Sequence, residues 1–347
     1  MTLLSRFPAL GVLLLAFGAS GCLPSCQKRA DKSLLPADST SRQLAATIRA
    51  DTLATLWTKG PDAGGPALRF PRTVRFSTSG DTVWIADGQA NRLVAFDTAG
   101  TVLQTVAGAF RLPFLAGFRG DTVVVFSAGA HRFDLVAGGR IVRQVPVTLP
   151  EDRSLVRYAH AVRGGYAVKA GGRDTDAFLV VVDEAGRERR RTALPGPLWR
   201  HAGLLRTARS DGRADTLVSL VGFAPVVDHV DVASLRRDTL ALVGFDSPKL
   251  DQRRRYLTGE SDAPLLASSA APLPGGRLFV ANLRPGWLQV DVYDRGRLAH
   301  RLLDQREALD FDYLVEDLDV RLSGAGYLVA TVQAKPQPRL TLYRWDR

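Results

Sequence analysis

The stretch Phe70 to Val106 constrains this chain more than any other, because four short β-type runs fill it with little left over. The runs Thr73 to Phe76, Thr82 to Ala86, Leu93 to Phe96 and Val102 to Val106 are divided by Ser79-Gly80-Asp81, by Asp87 to Asn91, and by Asp97-Thr98-Ala99-Gly100. Each divider supplies the Gly, Asp or Asn that a tight turn between antiparallel strands needs. The segment reads as one four-stranded antiparallel unit.

The unit then repeats to the C-terminus. Asp-Thr-Val opens a second strand at Asp81 and again at Asp121, a spacing that suits one four-stranded blade. Further blades follow over Val156 to Leu194, Leu204 to Val243, Leu265 to Leu303 and Tyr313 to Tyr343. Every blade has Gly between its first and second strands, at Gly80, Gly120, Gly164, Gly212, Gly275 and Gly324, as positive φ in a hairpin turn requires. Second strands such as Thr122 to Phe126 are nearly continuous apolar runs, whereas fourth strands such as Arg297 to Leu302 alternate. Sheets covered on both faces by neighbours, and half-exposed at the rim, produce that gradient. The expected fold is all-β: a six-bladed β-propeller of four-stranded antiparallel blades. The last blade has only three strands, and the run Asp51 to Trp57, lying before blade one, is the expected fourth. Pairing it there closes the ring with an N-terminal strand and removes exposed sheet edges.

Ahead of the ring, Arg6 precedes an apolar run from Leu10 to Phe17 that is too short to span a bilayer and suits the hydrophobic region of a signal peptide. It ends in Ala19-Ser20-Gly21-Cys22, which resembles the lipobox of bacterial lipoproteins. The resemblance implies cleavage before Cys22, a diacylglycerol thioether on its sulfur, and an exported protein anchored to a cell-envelope membrane on the periplasmic or cell-surface side. The expected division is a leader over 1–21, a lipidated tether over 22–46 and the propeller over 47–347. The tether from Leu23 to Ala46 is polar, is interrupted by Pro24 and Pro36, and shows no sustained periodicity. The only other cysteine, Cys26, has no intrachain partner once Cys22 is modified.

Blade one, with Pro71, Asp87, Asn91-Arg92 and Phe96-Asp97 at propeller spacing, resembles the NHL repeat, and the whole chain resembles the broad group of six-bladed propellers that includes NHL and TolB-like folds. Blades two to six keep the rhythm but lose the Asp…Asn-Arg element. The resemblance implies a funnel-shaped ring whose ligands sit at one mouth of the axial channel.

Candidate chemistry is sparse. The five histidines have no His-x-His or His-Glu-x-x-His spacing, although His160 and His201 fall in or just before first strands, beside Arg157 and Arg200. Glu316, Asp317 and Asp319 lie in the first strand of blade six, where alternation turns some of them inward. Some six-bladed hydrolases hold Ca²⁺ with acids from several blades, so a calcium-type hydrolase or lyase is the alternative reading, but acids from one blade and Asn282 from another make a thin cage. Gly-x-Ser-x-Gly, P-loop and Gly-x-Gly-x-x-Gly signatures are absent. The net charge of +11 rests on Arg far more than on six Lys. Arg187 to Arg191 occupy a fourth-strand position, where charge blocks edge-to-edge pairing; Arg253-Arg254-Arg255, followed by Tyr256, are read as a connecting loop. An exported chain meets envelope polyanions rather than nucleic acid. The main expectation is therefore a binding scaffold for a peptide, protein or anionic glycan, with no cofactor. Its recognition surface is the face where second-to-third turns meet the connections between blades. There Asp87, Asn91, Arg92, Asn282, Arg284 and Trp287 join Arg157, Arg200, Arg253, Arg254 and Tyr256 around a positive mouth. Trp287 is either an exposed stacking platform or a ring folded onto its own blade.

Cys22→Ser is expected to release the protein to the soluble fraction or to leave it uncleaved, read by fractionation and intact mass. Unchanged processing with full membrane retention would refute the anchor.

Overall fold

The computed structural model describes residues 38–63, 65–149, 155–171, 176–197, 200, 205–208, 216–304 and 314–346, all within one compact unit, Asp31–Arg347. Cys22, Cys26, His201, Gly212 and the segment 305–313 lie outside the described residues.

Alternating strands and tight turns produce six blades. Blade one contains Pro71–Phe76, Thr82–Asp87, Arg92–Asp97 and Val102–Ala107, each hydrogen-bonded to the next in chain order. Blades two to four repeat that order, beginning at Pro113–Arg119, Leu155–Val162 and Leu205–Ala208. Blade five runs from Ala267–Leu273 to Arg297–Leu303, and blade six from Leu314–Ser323 to Arg339–Trp345. All described pairings within these blades are antiparallel. The first strands of successive blades neighbour one another around the axis, with blade six meeting blade one. Where described, the first-to-second glycines take positive φ, as at Gly80 (φ 80°) and Gly324 (φ 60°).

The core is divided among the gaps between blades. Six apolar clusters each join two consecutive blades, and Val74, Ile85, Leu328 and Leu342, for example, seal blade one against blade six. Because every sheet is covered on both faces, its middle strands are buried throughout, as Gly165–Gly171 is.

The N-terminal segment differs from expectation in two respects. Its strand is split: Ala50–Thr52 (β1) pairs in parallel with the outer strand of blade five, and Ala54–Lys59 (β2) pairs antiparallel with the last strand of blade six. Leu53 at the crossing is 1% exposed and joins the cluster between those two blades, while its N–H donates to Leu303 O at 2.7 Å. One strand thereby completes blade six and also latches blade five. The second difference is a helix, Asp38–Thr47 (α1), in the last part of the segment expected as tether. Ser41, Leu44, Ala45 and Ile48 recur at i, i+3, i+4 and i+7, and this face packs against the blade four and five cluster. Ser41 Oγ accepts from Gly244 N at 3.1 Å.

Leu53→Ala is expected to lower stability by about 2–5 kcal/mol through the lost contacts and the cavity left behind, whereas Leu56→Ser, at a site 46% exposed, should change it by less than about 0.5 kcal/mol. Denaturant midpoints separate the two; equal losses would mean that the crossing is not a core position.

Candidate functional site

Topology places all second-to-third turns and all connections between blades on one face of the ring, so the described candidates do share a face. Most of them are occupied in holding the fold. Asp87 is fully buried, accepts from Phe70 N at 2.8 Å and from Arg69 N at 3.2 Å, and pairs with Arg92 at 3.2 Å, which fixes the chain entering blade one. Asn91, in the left-handed region (φ 49°), accepts Leu112 N at 2.9 Å and positions the connection to blade two. Asn282 donates at 2.8 Å to both Asp246 O and Asp291 Oδ2.

Asp291 belongs to an unexpected pattern. The third residue of the third strand is a buried aspartate in blades two, four and five: Asp134, Asp228 and Asp291. Each receives side-chain donors, such as Ser127 Oγ at 2.6 Å to Asp134 and Thr239 Oγ1 at 2.6 Å to Asp228. Burial pushes the Asp291 carboxyl up, against the pull of Arg301 and of its hydrogen-bond donors. These aspartates brace blades from within.

Arg253 and Arg254 lie on a helix, Lys249–Thr258 (α2), rather than on the expected loop; Gly259 at φ 88° ends it, and Asp251 pairs with Arg254 at 2.6 Å. Arg253 is 2% exposed, donates from Nε to Phe223 O at 2.9 Å, and lies 5.0 Å from the centre of the Phe223 ring. Arg200 approaches the same ring at 5.5 Å, and Tyr256 meets it edge-on at 5.3 Å. This knot docks α2 on blade four. Arg284 stacks on Trp287 at 4.8 Å and donates to Gln289 Oε1 at 2.6 Å, so a face of the half-buried Trp287 ring is covered by its own turn. For Arg157 the backbone in its strand is described and the side chain is not.

A cavity opens at the other mouth, among the first-to-second hairpin turns. It measures about 440 Å³, within the range of small-ligand pockets. None of the described candidates from the loop face lines it. Its floor is ionic: Asp317, fully buried, accepts Val74 N at 2.9 Å and Ser269 Oγ at 2.6 Å and pairs with the buried Arg75. Above it Asp319 accepts Phe76 N at 2.8 Å, and His160, 7% exposed, lies in the wall beside Gly117. Phe118, Pro272, Leu273, Pro274 and Leu322 form an apolar rim. The inward turn of the blade-six acids was legible from strand alternation; the cationic partner was not, because Arg75 comes from another blade.

Lys169, a buried ionisable group outside the cavity lining, was also missed by sequence reasoning. It is fully buried in the second strand of blade three, with Nζ 3.4 Å from Leu220 O in blade four and 5.8 Å from the Tyr158 ring centre. Burial pushes its ammonium down to about 7, opposed by Asp228. A lone lysine inside the apolar run Gly165–Gly171 was the available signal.

Among the described residues, no group of three or more His, Cys, Asp or Glu side chains is placed to hold a metal ion. No family model matches the chain, and no curated protein matches it. Among solved structures it is similar to a catalytically inactive virginiamycin B lyase from Staphylococcus aureus with quinupristin, at 11% identity and TM-score 0.48, over 78% of this chain and 79% of that one. It is also similar to the β-propeller domain of Myceliophteria thermophila Cps50 (Swd1), at 14% identity and TM-score 0.48, over 81% and 98%.

Two outcomes follow. Asp317→Asn should cost about 3–5 kcal/mol by leaving Arg75 buried without its counter-charge, and a denaturant midpoint within error of wild type would rule out the ionic floor. For Lys169, the unfolded chain holds its proton up to the ordinary value of 10.5 while the folded chain releases it near 7, so folding stability falls as pH drops through that window. Lys169→Met should therefore be more stable than wild type at about pH 6.5, with the gain fading toward about pH 10. A gain independent of pH would show that the ammonium is not the cause.

Proposed function

We propose that this protein is a lipid-anchored cell-envelope scaffold of the broad NHL and TolB-like type, whose ring binds a peptide, protein or glycan in its axial cavity. The observation that carries the reading is the cavity itself, about 440 Å³, lined by the first strands of blades one, two, three, five and six and by the hairpin turns of blades one and five. Binding is favoured over catalysis because the acids here are engaged in structure: Asp317 in its ion pair, Asp319 on a backbone N–H. A general acid or base needs a proton to exchange with substrate, whereas these groups hold neighbouring blades. The lipobox-like site at Cys22 supports the envelope address, and a rigid ring suits presentation of a preformed site away from the membrane.

The test is site-specific photo-crosslinking in intact envelopes. A photoreactive side chain at Leu322, 59% exposed on the cavity rim, should capture a defined species; the same probe at Leu103, 56% exposed on the outer strand of blade one, should not. Equal capture at both positions, or none at Leu322, would defeat the reading.

A further inference from the structure

Several arginines of this chain are matched with carboxylates. Arg92 pairs with Asp87 at 3.2 Å, Arg132 with Asp134 at 2.9 Å and Arg301 with Asp291 at 3.4 Å. Arg321, in the wall of the axial cavity, has no such match. Among the described residues no carboxylate lies within ion-pair distance of it, its Nε is buried without a hydrogen-bond partner, and its contact is the Phe76 ring, 5.6 Å from centre to Cζ. Three acids of the same mouth are engaged elsewhere: Asp319 on Phe76 N, Asp317 on Arg75, and Asp81 on the hydroxyls of Ser77, Ser79 and Thr82.

The fold makes room for this cation. Gly80, at φ 80°, leaves space beside Arg321: a Cβ there would fall 2.3 Å from Arg321 Nη1, and the guanidinium would have to shift. The result is a positioned and half-buried charge with free donors. Guanidinium presents a planar fork that fits the two oxygens of a carboxylate, and removal from bulk water strengthens that pairing. Around it the rim of Phe118, Pro272, Leu273, Pro274 and Leu322 is aliphatic apart from one ring, which suits alkyl side chains better than the flat stacking that sugars require.

We propose that Arg321 anchors a carboxylate carried on an apolar group, namely the C-terminal end of a peptide whose last residues are aliphatic or aromatic. This rests on the binding reading above and narrows it to one ligand class. The carboxylate sits on the Arg321 fork, and the terminal side chains cover the rim. No bond is made or broken.

The experiment uses the full chain purified from membranes in detergent. A mixture of apolar tripeptides with free C-terminal carboxylates is compared with the same peptides as carboxamides, and retained peptides are quantified by mass spectrometry. Wild type should retain the acids about ten- to a hundredfold better than the amides, the ratio set by loss of a charge-assisted pair. Arg321→Ala and Arg321→Gln, each checked for an unchanged melting temperature, should bring the ratio to about one. Retention of acids and amides alike by wild type would overturn the carboxylate assignment while leaving a peptide-binding cavity; retention of neither would overturn it too. An acid preference that survives both substitutions would place the anion site elsewhere. Loss of the Leu322 crosslink is a separate result that removes the cavity as a binding site altogether.

Discussion

The ring is held at its axis by one carboxylate. First strands of neighbouring blades diverge instead of forming a continuous ladder, so the backbone donors that face the axis need other acceptors. Asp317 accepts Val74 N from blade one, Ser269 Oγ from blade five and its own neighbour Leu318 N, while pairing with Arg75. Three blades thus meet on two oxygen atoms. Asp319 repeats the device two residues later at Phe76 N, nearer the mouth. The cavity lies above this point, and the buried ion pair beneath it cannot move apart without orphaning buried charge.

The same economy shows in how buried arginines are used. A planar guanidinium serves a buried carboxylate and an aromatic face together, as Arg75 serves Asp317 and as Arg253 serves the Phe223 carbonyl and ring. Arg75 and Arg253, at least, serve as internal bracing rather than as surface charge. This also explains why the loop face carries less free chemistry than its composition promised: Asp87, Asn91, Arg92 and Asn282 are all engaged in positioning chain.

The blades were legible because period-two alternation and turn glycines are local signals, repeated six times in one chain. The N-terminal strand was found because a three-stranded blade poses a question with few answers; its division at Leu53 was hidden, since pairing in parallel with blade five leaves no mark in Ala50–Thr52. Helix α1 was missed for a related reason. Its buried face runs through Ser41, a polar residue that reads as tether until Gly244 N is seen to need it. Arg253 to Tyr256 were read as loop because three consecutive arginines overwhelm a ten-residue helical pattern that has few apolar positions. The cavity could not be read at all: it is assembled from short segments of five blades, each ordinary within its own hairpin.

Blade six unites Ala54–Lys59, among the earliest strands of the ring, with Arg339–Trp345, its latest. A ribosome therefore delivers one strand of that sheet long before the other three exist. Until the last strands emerge, Leu53 has no pocket and blade one has no sealed neighbour, and the nascent chain carries open sheet edges throughout synthesis. Such far-separated pairing is slow to find. A ring built this way stays open until its last strands have been made.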